Sequence, residues 1–300
     1  MTARRPPFGQ LLTAMVTPFA ADNTLDLVAA QRLAAYLVDE LGHDGVVVSG
    51  TTGESPTLTD TERAELLAAV VDAIGDRARV IAGVGTFDTR HSIELARTAA
   101  GIGASGVLVV TPYYSRPPQS GLLRHFRAVA DATELPVMLY DIPRRSGVAI
   151  ELDTMVKLAE LDNILAVKDA KGDLVTSAQV MGVTDLAFYS AEDALTLPLL
   201  AVGGVGVVGT STHFCGPEMK QLIQAYAAGD GDTALRLHRR LLPIMTGIFA
   251  TQGCILVKSG LTLQGRGVGD PRLPMVPATE AEVSNLAAAM TAAGVAVTPS

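Results

Sequence analysis

Lys168 closes an apolar run, Ile164-Leu-Ala-Val-Lys-Asp-Ala170, in a chain that has only five lysines. A lysine on what reads as a buried strand is costly in its charged form. Low-dielectric surroundings therefore favour a neutral, nucleophilic amine near pH 7. That is the condition for condensation with a carbonyl substrate, and it points to Schiff-base chemistry. Lys157, Lys171 and Lys220 stand in polar or helix-like surroundings, whereas Lys258, in Cys254-Ile-Leu-Val-Lys-Ser259, also has apolar neighbours and is the internal rival. For either Lys168 or Lys258 the plain alternative is a stem buried along apolar surface with its ammonium in water.

Other groups suited to such chemistry follow short apolar runs: Thr17-Pro18, Ser49-Gly-Thr-Thr-Gly-Glu-Ser55, Thr111-Pro-Tyr-Tyr114 and Tyr140-Asp-Ile-Pro-Arg-Arg-Ser-Gly147. Small hydroxyls beside glycines can bring backbone N–H groups against a carboxylate. A tyrosine can pass a proton, and an arginine can clamp an acid in a planar fork. Together they suit a keto acid; singly each reads as a tight loop, a packing tyrosine or a surface charge. Glu192-Asp193 offers an acid pair, but adjacent strand residues face opposite ways, and one is expected to serve as a helix cap.

Three other chemistries lack their context. Gly204-Val-Gly-Val-Val-Gly209 matches the dinucleotide fingerprint, but its glycines lie within a β-type run instead of between a strand and a helix. The five histidines, His43, His91, His125, His213 and His238, show no metal-ligand spacing. There is no GxSxG elbow.

The elements that must position these groups alternate in type. Eight β-type runs, at 12–19, 45–49, 80–85, 106–111, 137–142, 164–170, 186–190 and 206–210, are separated mostly by stretches of helical periodicity. Eight βα units predict an α/β fold of the (β/α)8 TIM barrel type, whose chemistry sits at the C-terminal ends of the strands. A doubly wound sheet is the alternative, because alternation alone does not show that a sheet closes. Thr59-Asp-Thr-Glu62 reads as a capping box, and Asp88 precedes an alanine-rich helix. Beyond the eighth run only helices are expected, at 217–228, 230–249, 252–263 and 279–293. The resulting organisation is an N-terminal extension at 1–10, a barrel at 11–215 and a C-terminal helical region at 216–300. Lys258 then falls on a packing helix of the tail, which weakens it as a rival.

Hydrophobic content of 48% with 18% charged residues supplies a large core, and a net charge of −8 without basic blocks excludes a nucleic-acid footprint. Two cysteines make no disulfide framework, no signal peptide is read at Pro6-Pro7-Phe8-Gly9, and no apolar run spans a bilayer. A cytoplasmic enzyme whose partners are small molecules or a second copy of itself is expected.

Gly50-Thr-Thr-Gly-Glu-Ser55, Thr111-Pro-Tyr-Tyr114, Tyr140-Asp-Ile-Pro143 with Arg145 and Gly147, Val167-Lys-Asp-Ala170 and Asp270-Pro-Arg-Leu-Pro274 stand in an order that resembles the dihydrodipicolinate synthase family. This family lies within the pyruvate-dependent class I aldolases. The likeness implies a (β/α)8 barrel, no metal or organic cofactor, and condensation of pyruvate with L-aspartate 4-semialdehyde in lysine and diaminopimelate biosynthesis. By the same likeness Lys168 would form the pyruvate imine, Tyr140 would relay protons and Thr52 would hydrogen-bond Tyr140. Thr51 and Thr52 would hold the pyruvate carboxylate through backbone N–H groups. Tyr114 would reach a neighbouring subunit's site, which implies a tight dimer, commonly paired into a tetramer. Arg145 would bind the semialdehyde carboxylate, with Gly147, Ala191 and Val208 among the substrate-binding positions. Arg145 argues against the alternative, a sibling aldolase or lyase acting on sugar-acid or sialic-acid aldehydes.

The chain departs from the family at Ala191, where glycine is usual, and at Val208-Gly-Thr210. Lysine-inhibited members carry particular polar residues where this chain has Pro56, Asp60, Arg63, Phe87 and His91. Weak feedback inhibition by lysine is therefore expected.

Overall fold

The computed structural model describes residues 6–297. Eight strands, β1 (Leu11–Ala14), β2 (Gly45–Val48), β3 (Arg79–Gly83), β4 (Gly106–Val110), β5 (Val137–Asp141), β6 (Ile164–Asp169), β7 (Ala187–Ser190) and β8 (Gly206–Gly209), pair in parallel and in sequence order. β8 returns to β1, so the sheet closes into a barrel, and the doubly wound alternative falls.

Helices α1 (Leu27–Ala35), α2 (Asp60–Ile74), α3 (Thr89–Ile102), α4 (Gln119–Ala130), α5 (Pro143–Ser146), α6 (Leu152–Leu158), α7 (Leu174–Val183), α8 (Thr196–Ala201) and α9 (Thr212–Ala227) follow the strands. α10 (Gly231–Gly247), α11 (Gly253–Leu263) and α12 (Glu280–Ala293) form the tail. The helix starts follow their caps. Thr59 and Glu62 satisfy each other's backbone N–H groups at α2, Asp88 accepts from Arg90 N–H at α3, and Thr279 with Glu282 repeats the capping box at α12.

Strand alternation sorts the core into two layers. Leu12, Val47, Ile81, Leu108, Met138, Ala166, Ala187 and Val208 fill the barrel interior, while Val46, Val80, Val107, Leu139, Val167 and Phe188 pack outward under the helices. Phe8 belongs to the interior layer. It lies where a side chain at Gly106 would have to stand, and its N–H donates to the Tyr189 hydroxyl at 3.3 Å, so part of the N-terminal extension plugs the barrel floor. Residues 1–5 of that extension lie outside the described residues.

Two boundaries differ from expectation by more than two residues. The first run leaves the sheet after Ala14: Met15 N–H still reaches Val47, but Pro18 has no N–H to give, and Phe19 instead bonds to Val268 of the tail. The helix expected from Pro217 begins at Thr212, with a kink at Cys215. Proline fits there because the kink has already opened the hydrogen-bond ladder ahead of its ring.

Candidate active site

The mouth of the barrel is built around the β5/β6 pair, where Tyr140 stands opposite Lys168 and Asp141 opposite Asp169. The two-residue period turns Tyr140 inward with Lys168, and Lys168 is only 5% exposed. Its Nζ lies 4.4 Å from the centre of the Tyr140 ring. Burial pushes the amine down from 10.5 to about 8; the Asp193 and Glu192 carboxylates oppose that shift and the Arg145 guanidinium adds to it. Burial also pushes the Tyr140 phenol up to about 12, against the charge of Arg145 and a hydrogen bond from the Thr51 side chain. The amine is thus brought toward its nucleophilic form while the phenol keeps a proton it can lend.

Thr51, not Thr52, touches the phenol and lines the cavity above it. The expected Thr52–Tyr140 contact is thereby corrected. The segment from Gly50 to Ser55 is wound into a turn by Glu54 N–H to Thr51 O at 3.1 Å and Ser55 N–H to Gly50 O at 3.2 Å. Neighbouring side chains in such a turn point different ways, which spacing could not resolve.

Arg145 lines the same cavity from α5, and its Nη2 donates to Gln252 Oε1 at 2.9 Å. Gln252 sits at the N-cap position of α11, and nothing in its own sequence neighbourhood marked it. Adjacent Arg144 turns instead to Glu192, with which it forms an ion pair. Gly147 ends α5 with φ of +80°, and the Arg116 side chain occupies the space a Cβ there would need. The cavity is lined by Tyr113, which packs edge-on against Phe87 at 5.5 Å, whereas Tyr114 is 95% exposed and held at φ of +72°. Ala191 and Val208 pack in the interior cluster that contains Tyr140.

Of the acid pair, Glu192 takes the N-cap position of the short 3-10 turn Asp193–Leu195, as expected of one member, but its side chain makes no capping hydrogen bond. The buried Asp193 carboxylate accepts from Ser211 N–H at 2.7 Å and Thr210 N–H at 3.1 Å, clamping the end of β8. Burial raises its pKa. A Cβ at Gly209 would come within 2.6 Å of that carboxylate, and one at Gly206 would strike the Gln10 backbone. Gly206 and Gly209 therefore serve close packing inside β8, and Gly204 just before it lies against Leu199 of α8, which removes the dinucleotide reading. Lys258 also departs from the snorkelling alternative. It is 3% exposed on α11 and paired with Glu54 at 2.8 Å.

The dihydrodipicolinate synthetase family profile matches residues 7–293. A 4-hydroxy-tetrahydrodipicolinate synthase from Acidothermus cellulolyticus is 63% identical over 98% of this chain and 95% of its own length. A second synthase so named, from Streptomyces coelicolor, is 56% identical over 96% of each chain. Among solved structures, the Cyanidioschyzon merolae enzyme with lysine bound superposes with a TM-score of 0.94 at 43% identity, covering 97% of this chain and 99% of that one.

Proposed function

Because this chain belongs to the dihydrodipicolinate synthetase family, we propose that it condenses pyruvate with L-aspartate 4-semialdehyde to give 4-hydroxy-tetrahydrodipicolinate. The step belongs to lysine and diaminopimelate biosynthesis. The observation that carries the reading is the buried Lys168 amine, lowered to about 8 and set against the ring of Tyr140, which itself lines a cavity together with Arg145 and Thr51.

In this reading the neutral Lys168 amine attacks the ketone of pyruvate. The resulting carbinolamine loses water to an imine, with Tyr140 supplying the proton that the departing hydroxyl needs. Loss of a C3 proton gives the enamine, whose carbon attacks the aldehyde. The amino group of the second substrate then adds to the imine carbon, displacing Lys168 and closing the ring. The imine nitrogen is the electron sink throughout, so the protein supplies orientation and a proton path.

Thr51 passes protons to Tyr140, backbone N–H groups of Thr51 and Thr52 hold the pyruvate carboxylate, and Arg145 binds the carboxylate of the semialdehyde. Ala191, Val208 and Gly147 shape the surrounding wall. The exposed Tyr114, fixed in a left-handed conformation, completes the relay in the site of a second copy of the chain, and two such dimers pair into a tetramer. A cytoplasmic location belongs to the same proposal and accords with two free, buried thiols, Cys215 and Cys254.

Borohydride reduction with pyruvate, followed by peptide mapping, tests the chemistry: the adduct is expected on Lys168, and an adduct on Lys258 would overturn the assignment. Turnover of aspartate semialdehyde well above that of sugar-derived aldehydes tests the substrate.

A further inference from the structure

The turn that carries Thr51 is held at both ends by residues in the left-handed conformation that are not glycine, Ser49 at φ of +53° and Glu54 at +56°. Such a backbone persists only where its surroundings over-determine it. Part of that support is local: the Thr17 hydroxyl donates to Gly53 O at 2.6 Å, and the turn's own N–H groups close it.

The rest comes from the C-terminal tail. The Glu54 side chain is buried, with Oε1 2.8 Å from Lys258 Nζ and Oε2 accepting from Arg272 N–H at 2.9 Å. Lys258 also donates to Asp270 O at 3.0 Å, so the 270–272 segment closes around the pair. The Lys258 ammonium and the Arg272 guanidinium each lie 4.2 Å from the centre of the Phe19 ring. Arg272 then reaches forward to Thr57 O and the Glu62 carboxylate, just past the turn.

A buried ion pair is a poor source of net stability, since apolar side chains of similar volume often do as well or better. What it supplies is direction, because charged partners with fixed hydrogen bonds admit few arrangements where apolar ones admit many. We propose that the Glu54–Lys258 pair, closed by Arg272, positions the Thr51 turn for pyruvate, so that tail helix α11 sets the geometry of the first-substrate site. Glu54 and Lys258 are positioning residues that touch no substrate. The inference rests on the pyruvate reading above.

The test compares Lys258→Met, Lys258→Arg and the double variant Glu54→Gln/Lys258→Met with the wild type. Thermal midpoints, the KM for each substrate and the rate of borohydride-trapped adduct formation with pyruvate are measured. The double variant leaves no buried unpaired charge and is expected to keep its thermal midpoint. Its KM for pyruvate should nevertheless rise, and its trapping rate fall, by about tenfold, with the KM for the semialdehyde changed less than about twofold. Lys258→Arg, which keeps the charge, should recover most of the loss. A folded double variant with wild-type pyruvate KM and trapping rate would overturn the proposal, as would equal damage to both substrates. A wild-type protein that forms no adduct with pyruvate would instead defeat the functional reading itself.

Discussion

Arg145 donates a hydrogen bond to Gln252 at 2.9 Å across a sequence separation of 107 residues, tying the loop after β5 to the first residue before α11. One tail helix therefore bears on both ends of the candidate cavity, through Gln252 at Arg145 and through Lys258 at Glu54. Arg145→Ala should raise the KM for the semialdehyde by roughly tenfold to a hundredfold, since a charge-assisted bidentate contact is lost. The KM for pyruvate should hardly move. Gln252→Ala should show the same selectivity at a fraction of the size, and initial-rate kinetics with each substrate varied in turn checks both.

Lys168→Met should abolish pyruvate-dependent adduct formation and lower kcat/KM by about a thousandfold or more, because no other group at the site supplies the amine. The same change is expected to stabilise the fold. Lowering the amine from 10.5 to about 8 corresponds to about 3 kcal/mol at neutral pH, a cost that a thioether of similar length does not carry. A thermal midpoint below wild type would contradict that expectation.

The two threonines of the turn should separate cleanly. Thr51→Val removes the hydroxyl that touches Tyr140 and should lower kcat by about a hundredfold, near the value for Tyr140→Phe, the usual scale for a lost proton relay. Thr52→Val keeps its backbone N–H and should stay within about threefold of wild type. Equal effects of the two valines on kcat would contradict the placement of Thr51 in the relay.

Imine formation should follow the free amine. With Lys168 at about 8, the nucleophilic fraction falls about tenfold for each pH unit below that value and levels off above it. Single-turnover trapping with pyruvate between pH 6 and pH 9 reads this directly. The stability profile has the matching sign: between about 8 and 10.5 the unfolded chain holds a proton on this amine that the folded chain has released. Stability from this group therefore rises with pH across that window.

Lysine should inhibit weakly. Arg63 fills the position where a polar ligand is expected in lysine-inhibited members, and its guanidinium donates to Ser55 O at 2.6 Å and Gly83 O at 3.4 Å. Asp60 is already bound to His91 at 3.0 Å. A fixed cation repels the lysine ammonium, and the neighbouring carboxylate is engaged. Half-inhibition at submillimolar lysine in steady state would contradict this.

The sequence by itself determined the periodicities and the chemistry. Eight apolar runs spaced by helical stretches specify βα units, capping residues such as Thr59 and Asp88 set where helices begin, and a lysine closing an apolar run offers a candidate nucleophile, because all of these depend on neighbours along the chain. Closure of the sheet was decided only by the β8/β1 pairing. The choice of Thr51 over Thr52 depended on the direction of side chains in a turn, and Gln252, Glu54 and Lys258 acquired their roles from contacts between segments far apart in sequence. Local pattern carries no information about such contacts: a hydrogen bond or ion pair depends on distance in space, which only the packed tail and barrel define.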